Sequence, residues 1–131
     1  MNEATFKSWL DAYGHAWETR DPDAAADLFT EDATYQETPF TEPARGRPAI
    51  HEYWRQATQS QGDVRFGYEI LAVAGDRGIA RWWVSFTVPA QAQQVQIKLD
   101  GIFLVLMAED NRCHDFREWW HEQMLSGEAA E

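Results

Sequence analysis

The hydrophobic positions of this chain change period once, and the change divides it into a helical first half and a β-strand second half. Phe6, Trp9, Leu10, Tyr13, Ala16 and Trp17 recur every three or four residues, which puts them on one face of a helix with Asp11, His15 and Glu18 turned to solvent. Asp21-Pro22-Asp23 then supplies a capping residue, a proline at the first helical position and an acid in the first turn, predicting a short helix through Phe29. A third helix is expected from Pro48, burying Ile50, Tyr53, Trp54 and Ala57. Between these helices Ala33 to Glu37 reads as a short strand, and Thr38 to Gly46, with Pro39 and Pro43, as a loop.

From Val64 the period is two. Val64, Phe66, Tyr68, Ile70 and Ala72 alternate with Arg65, Gly67 and Glu69, and Gly75-Asp76-Arg77-Gly78 supplies a turn. Ile79 to Val88, Gln94 to Met107 and Arg112 to Glu122 read as further strands, the last two joined at Asp110-Asn111. Helices followed by an antiparallel meander predict an α+β fold. From Ile102 to Met107 both parities are apolar, so that stretch should be covered on both faces.

Composition narrows the picture. A length of 131 residues suits one domain, expected over residues 1–125 with 126–131 as a loose tail. Seven Trp, seven Phe and four Tyr exclude a disordered acidic segment. The formal charge is −11, and residues 1–42 carry ten acids against two bases, which argues against nucleic acid or an anionic membrane as partner. The longest apolar run, Ile102 to Ala108, is too short to span a bilayer. A lone Cys113 allows no internal disulfide, and the N-terminal pattern is amphipathic with no signal-peptide core, so a cytoplasmic location is expected. His114 and His121 have opposite strand parity and Cys113 has no partner cysteine, so no metal site is predicted, and no glycine-rich phosphate loop suggests a nucleotide cofactor. Trp82-Trp83 and Trp119-Trp120 must each send one indole to either face of the sheet, which predicts a helix-covered pocket on one side and a homodimer on the other.

Several strings carry a resemblance. Tyr13 on the first helix, Asp21-Pro22-Asp23 through Leu28-Phe29 into Asp32-Ala33-Thr34, Gly46-Arg47 with Ile50, and Asp100-Gly101 in the long strand resemble the NTF2-like superfamily, in its SnoaL-like and ketosteroid-isomerase-like branches. The likeness covers about residues 4 to 122. It implies three N-terminal helices packed on a curved sheet, a cone with an apolar pocket, often dimerising through the sheet's outer face. Members of that superfamily include isomerases, cyclases, dehydratases, epoxide hydrolases and proteins without catalysis, so function has to come from the site.

By that resemblance the working groups would be Tyr13, Glu37 and Asp100. Moving a proton beside a carbonyl needs a carboxylate base and donors aimed at the oxygen where charge develops. Glu37 departs from the family pattern because Thr38 intervenes before Pro39. Asp100 shares strand parity with Lys98 and Gln96, so it faces either a polar-lined pocket or solvent. The expected pocket wall is Trp9, Trp17, Phe29, Trp54, Trp82, Trp83, Phe103, Arg117 and Trp119. The favoured expectation is a cofactor-independent acid–base enzyme for a small, largely apolar carbonyl compound. Two alternatives stand beside it: a non-catalytic ligand-binding or dimerisation module, and an epoxide hydrolase using Arg117 with Asp115 and Asp100.

Overall fold

A computed structural model describes residues 1–125; the tail expected over 126–131 lies outside the described residues. Three helices precede and interrupt a six-stranded mixed sheet whose strand order is β2-β1-β6-β5-β4-β3. The sheet is open, with β2 and β3 at its edges.

Helix α1 (Glu3–Glu18) begins at Asn2, whose side chain accepts the Thr5 amide at 2.8 Å while the Thr5 hydroxyl lies on the Asn2 amide, a reciprocal cap that satisfies two otherwise orphaned donors. Its buried face is the apolar face read from the sequence: Phe6, Trp9, Leu10, Tyr13, Ala16 and Trp17. Helix α2 (Pro22–Ala26) is capped by Asp21, which accepts the Ala24 amide at 3.1 Å. It stops short of the expected Phe29, because Phe29 instead opens strand β1 (Phe29–Gln36). The expected loop holds a two-residue strand, β2 (Ala44–Arg45), paired to β1 at Thr34 and Tyr35. Helix α3 (Arg47–Thr58) follows Gly46, which takes the left-handed φ of 88° that an L side chain rarely adopts. It buries Ile50, Trp54 and Thr58, while Tyr53 and Ala57 are only partly covered because they border a cavity.

Strands β3 (Gly62–Ala74), β4 (Arg77–Ala90), β5 (Gln93–Met107) and β6 (Cys113–Leu125) form the predicted antiparallel meander. The element that the sequence pattern does not show is the return of β6 to lie parallel to β1, with Tyr35 opposite Phe116 and Gln36 opposite Arg117. Parity decides what faces the helices. On β4 this is Ala80, Trp82, Val84 and Phe86, all buried; on β5 it is Phe103, Val105 and Met107. On β6 the register slips by one residue between Leu106↔Asp115 and Met107↔Cys113, so Cys113 and Phe116 are both fully buried despite standing three apart. Beyond that slip Phe116, Glu118 and Trp120 face the helices, and Arg117 and Trp119 face away.

The core is aromatic. Tyr13 stacks on Trp9 at 5.3 Å and Phe116 at 5.6 Å and meets Trp54 and Phe103 edge-on at 5.3 and 5.1 Å. Trp82 stacks on Phe103 at 4.8 Å, and Trp120 lies beside it at 6.4 Å. Gly101, opposite Trp120, is where the backbones approach too closely for a side chain: a Cβ there would overlap the Trp119 carbonyl oxygen and lie 2.8 Å from Trp120 Cα.

Candidate functional site

Strand β1 pairs with β6 only as far as Gln36↔Arg117. Beyond it Glu37 and Thr38 lead into Pro39, which has no amide proton to extend the ladder, and the chain leaves the sheet. The inner edge of β6 from Glu118 onward is therefore free, and two hollows meet there. The inner one is a cavity of about 180 Å³ lined by Trp17, Tyr35, Glu37, Tyr53, Trp54, Ala57, Gln61, Phe86, Leu99, Glu118, Trp120 and Glu122. The outer one is a shallower recess of about 480 Å³ under Thr38, Pro39 and Phe40, bordered by Gly101, Ile102 and Trp119 to His121. Glu37, Glu118 and Trp120 belong to both, so two carboxyl groups stand at the passage between them. Phe40, 94% exposed, stands at the rim of the recess.

Glu118 is 5% exposed and sits among Phe116, Trp120 and the tyrosines. Burial pushes its carboxyl up to about 8; the Tyr35 hydrogen bond opposes the rise and the nearby Glu37 charge adds to it. Tyr35 donates to Glu118 Oε2 at 2.9 Å. A phenol has one proton, so with Tyr35 donating forward, the Tyr13 hydroxyl 3.0 Å behind it must donate to Tyr35. The result is a directed chain, Tyr13 to Tyr35 to Glu118. A second pair stands beside it: Tyr53 donates to Glu37 Oε2 at 2.7 Å. Burial holds all three phenols well above the ordinary tyrosine range, with the Glu118 charge adding, so they act as neutral donors.

Of the residues expected from sequence, Glu37, Trp17 and Trp54 line the cavity. Tyr13 reaches it only through Tyr35, from a fully enclosed position. Trp9, Phe29, Phe103 and Trp82 are packed in the core behind the wall and do not border the cavity. Asp100, Trp83 and Arg117 are on the other face of the sheet, and Trp119 touches only the outer recess. The reason is strand parity: inward positions on β5 are odd-numbered through Leu99, Gly101 and Phe103, which turns Asp100 outward. There it forms a two-pronged pair with Arg81, Nη2 to Oδ2 at 2.6 Å, and Arg81 also lies 4.7 Å over the Trp83 ring. Arg117 pairs with Asp115 at 3.1 Å on the same outer face, so Arg117, Asp115 and Asp100 do not converge on one pocket. Cys113 is buried with its thiol pushed up, an unreactive core residue. Among the described residues no group of His, Cys, Asp and Glu could hold a metal ion.

Glu118, Tyr35, Tyr53 and Gln61 are the site residues that the sequence pattern did not single out. A signal for Glu118 existed in its parity, since a lone acid between Phe116 and Trp120 on the inward face of a strand has no solvent to turn to.

The sequence profile of the SnoaL-like domain matches residues 10–116, and the chain belongs to that family. Solved structures share its fold at low identity. The epoxide hydrolase/cyclase-like enzyme SalBIII, described in pyran ring formation in the polyether salinomycin, is 20% identical with a TM-score of 0.73 over 92% of this chain and 93% of its own. A candidate isomerase from Bacillus subtilis is 18% identical with a TM-score of 0.78, covering 92% and 90%. A candidate SnoaL-like polyketide cyclase from Shewanella denitrificans OS-217 is 10% identical with a TM-score of 0.77, covering 92% of each chain. No curated protein matches in sequence. Among the described residues no helix is long and apolar enough to cross a membrane.

Proposed function

We propose that this SnoaL-like protein is a cofactor-independent acid–base enzyme for a small, largely apolar carbonyl compound, with Glu37 and Glu118 as its working pair. The observation that carries the reading is that two carboxyl groups, each held by a tyrosine hydroxyl, border one aromatic cavity. They differ in role because they differ in surroundings. Glu118, kept protonated near neutral pH by burial, donates to the substrate's carbonyl oxygen. Glu37, at the passage between cavity and recess, takes a proton from the carbon beside that carbonyl; the released electron pair moves onto the oxygen, where Glu118 meets the charge. Return of the proton to another carbon completes an isomerisation, and attack by the enolate carbon elsewhere in the substrate would complete a ring closure. Tyr35 and Tyr13 act behind Glu118 as positioning residues.

The test is deuterium exchange at the carbon beside the carbonyl of 1-tetralone, followed by proton NMR in D2O. Acceleration by the wild type and its loss by at least tenfold in Glu37→Gln support the assignment. Tight binding of 1-tetralone with no acceleration would leave a non-catalytic binding module of the same fold as the answer.

A homodimer through the sheet's outer face belongs to the same reading. Trp83 at 38% and Trp119 at 45% exposure are large apolar groups on a face that also carries Ile79. Light scattering at micromolar concentration should give twice the 15.1 kDa chain mass, and a monomeric mass would refute it. A cytoplasmic location accords with the single, buried cysteine.

A further inference from the structure

From the end of the cavity opposite the carboxyl pair, we infer that the ligand carries a second oxygen, taken by the side-chain amide of Gln61. This rests on the cavity being the substrate site, and adds to it what the substrate must look like at its far end.

Gln61 stands immediately before β3, and Glu118 is on β6, with β4 and β5 between those strands. Both border the same cavity, and Trp17, Trp54 and Phe86 form the apolar wall near Gln61. Gln61 is 8% exposed, deep for a side chain with two donor hydrogens and two acceptor lone pairs to satisfy. Its orientation is unambiguous. Trp17 Nε1–H, which can only donate, points at Gln61 Oε1 from 2.8 Å, so the oxygen must face Trp17 and the NH2 group must face away from it. The Gln61 backbone is also pinned, its carbonyl accepting from Arg20 Nη1 at 2.8 Å and its amide donating to the Thr58 carbonyl at 3.1 Å. With backbone and side-chain oxygen fixed, the NH2 group donates to nothing among the described residues, although the residue is nine-tenths buried against the cavity. The NH2 nitrogen has no protein acceptor among the described residues and is not sealed off, so a ligand oxygen in the cavity can accept from it without displacing a protein partner.

The cavity therefore has a donor at each end, protonated Glu118 and the Gln61 amide, with indole and phenyl walls between. That arrangement selects a compact ring skeleton with two oxygens at opposite ends, one on the reacting carbonyl and the other an acceptor with no part in the chemistry. A mono-oxygenated hydrocarbon of the same size would fill the walls but leave Gln61 unmet.

Titration calorimetry with 1-tetralone and with its 5-, 6- and 7-hydroxy derivatives tests this. At least one hydroxy derivative should bind the wild type about three- to tenfold tighter than 1-tetralone, the range for one neutral hydrogen bond. In Gln61→Leu that advantage should vanish, the ratio of derivative to 1-tetralone affinity falling to about one. A second measurement needs no variant fold: in 15N-labelled wild type, the Gln61 side-chain NH2 signals should move with the favoured derivative and not with 1-tetralone. If 1-tetralone binds but no derivative gains, or if the gain survives Gln61→Leu with the NH2 signals still, the Gln61 assignment is overturned and the cavity stands. If none of the four binds, the cavity reading falls with it.

Discussion

Replacing Glu118 by Gln should make the protein more stable at alkaline pH and leave it nearly unchanged at mildly acidic pH. The wild-type carboxyl has its pKa raised from 4.5 to about 8 by enclosure in the aromatic core. In the unfolded chain it loses its proton near the ordinary value, whereas in the folded protein it keeps the proton until about pH 8. Between those limits the folded state binds more protons than the unfolded state, so the wild type loses stability as pH rises through the interval and stops losing above it. At about 1.4 kcal/mol per pH unit, the full span amounts to about 5 kcal/mol, an upper bound because water entry or side-chain movement would relieve a buried charge. Gln has the same shape, still accepts from Tyr35 and cannot ionise. Urea unfolding followed by circular dichroism at half-unit intervals from pH 5 to 9 measures the difference, and subtracting variant from wild type removes every other titrating group. The expected difference is below about 1 kcal/mol at pH 5, grows steadily in favour of the Gln variant up to about pH 8, and reaches at least 2 kcal/mol by pH 9. A difference that stays flat across that range would show that Glu118 titrates normally and that its assigned role as proton donor is wrong.

Three further outcomes follow from the same geometry. Tyr35→Phe removes the hydrogen bond that opposes the rise in Glu118, so the midpoint of its carboxyl titration by 13C NMR should move above 8, and an unmoved midpoint would break the directed tyrosine chain. Gly101→Ala would drive a methyl group into the β6 backbone at Trp119 and Trp120 and should cost more than about 2 kcal/mol in urea unfolding; a variant of wild-type stability would mean that the two strands are less closely apposed. Asp100→Asn breaks an exposed pair with Arg81 and should change stability by less than about 1 kcal/mol and leave 1-tetralone affinity unaltered, whereas a large loss of affinity would return Asp100 to the site.

The fold was legible where side-chain periodicity is a local property. The 3.6-residue repeat of α1 and the alternation from Val64 to Ile70 and from Ala80 to Phe86 mark which face is buried without reference to any partner; between them the expected inward place of Ala72 goes to Val73, because the strand register shifts after Ile70. The start of β1 was not legible, because Thr30 to Asp32 are polar and only the parallel pairing with β6, more than 80 residues away in sequence, makes Phe29 a strand residue. The family resemblance led to Tyr13 and Glu37, and both lie on the tyrosine–carboxyl network. It leads to Asp100 as well, whose strand parity reads equally as a polar-lined pocket or solvent, and β5 turns it to the outer face of the sheet. Glu118 is flanked in sequence by Arg117 and Trp119, both at the outer parity, and only its shared parity with Phe116 and Trp120 marks it as inward. Which of two adjacent positions is inward depends on the register slip at Cys113, and a sequence does not display that slip.

The pairing of β1 with β6 also governs when the site can exist. Tyr13 and Tyr35 lie in the first third of the chain and Glu118 near its end, so the chain of hydroxyls has no terminus until the last strand is in place. The meander from β3 to β6 is built from neighbours in sequence, but the β1–β6 contact closes a loop of about eighty residues, a long-range pairing of the kind that slows folding. Without β6 paired, the aromatic face of α1 and β1 lacks Phe116 and the cavity lacks Glu118, Trp120 and Glu122. One strand therefore supplies both the carboxyl end of the hydroxyl chain and much of the cavity wall.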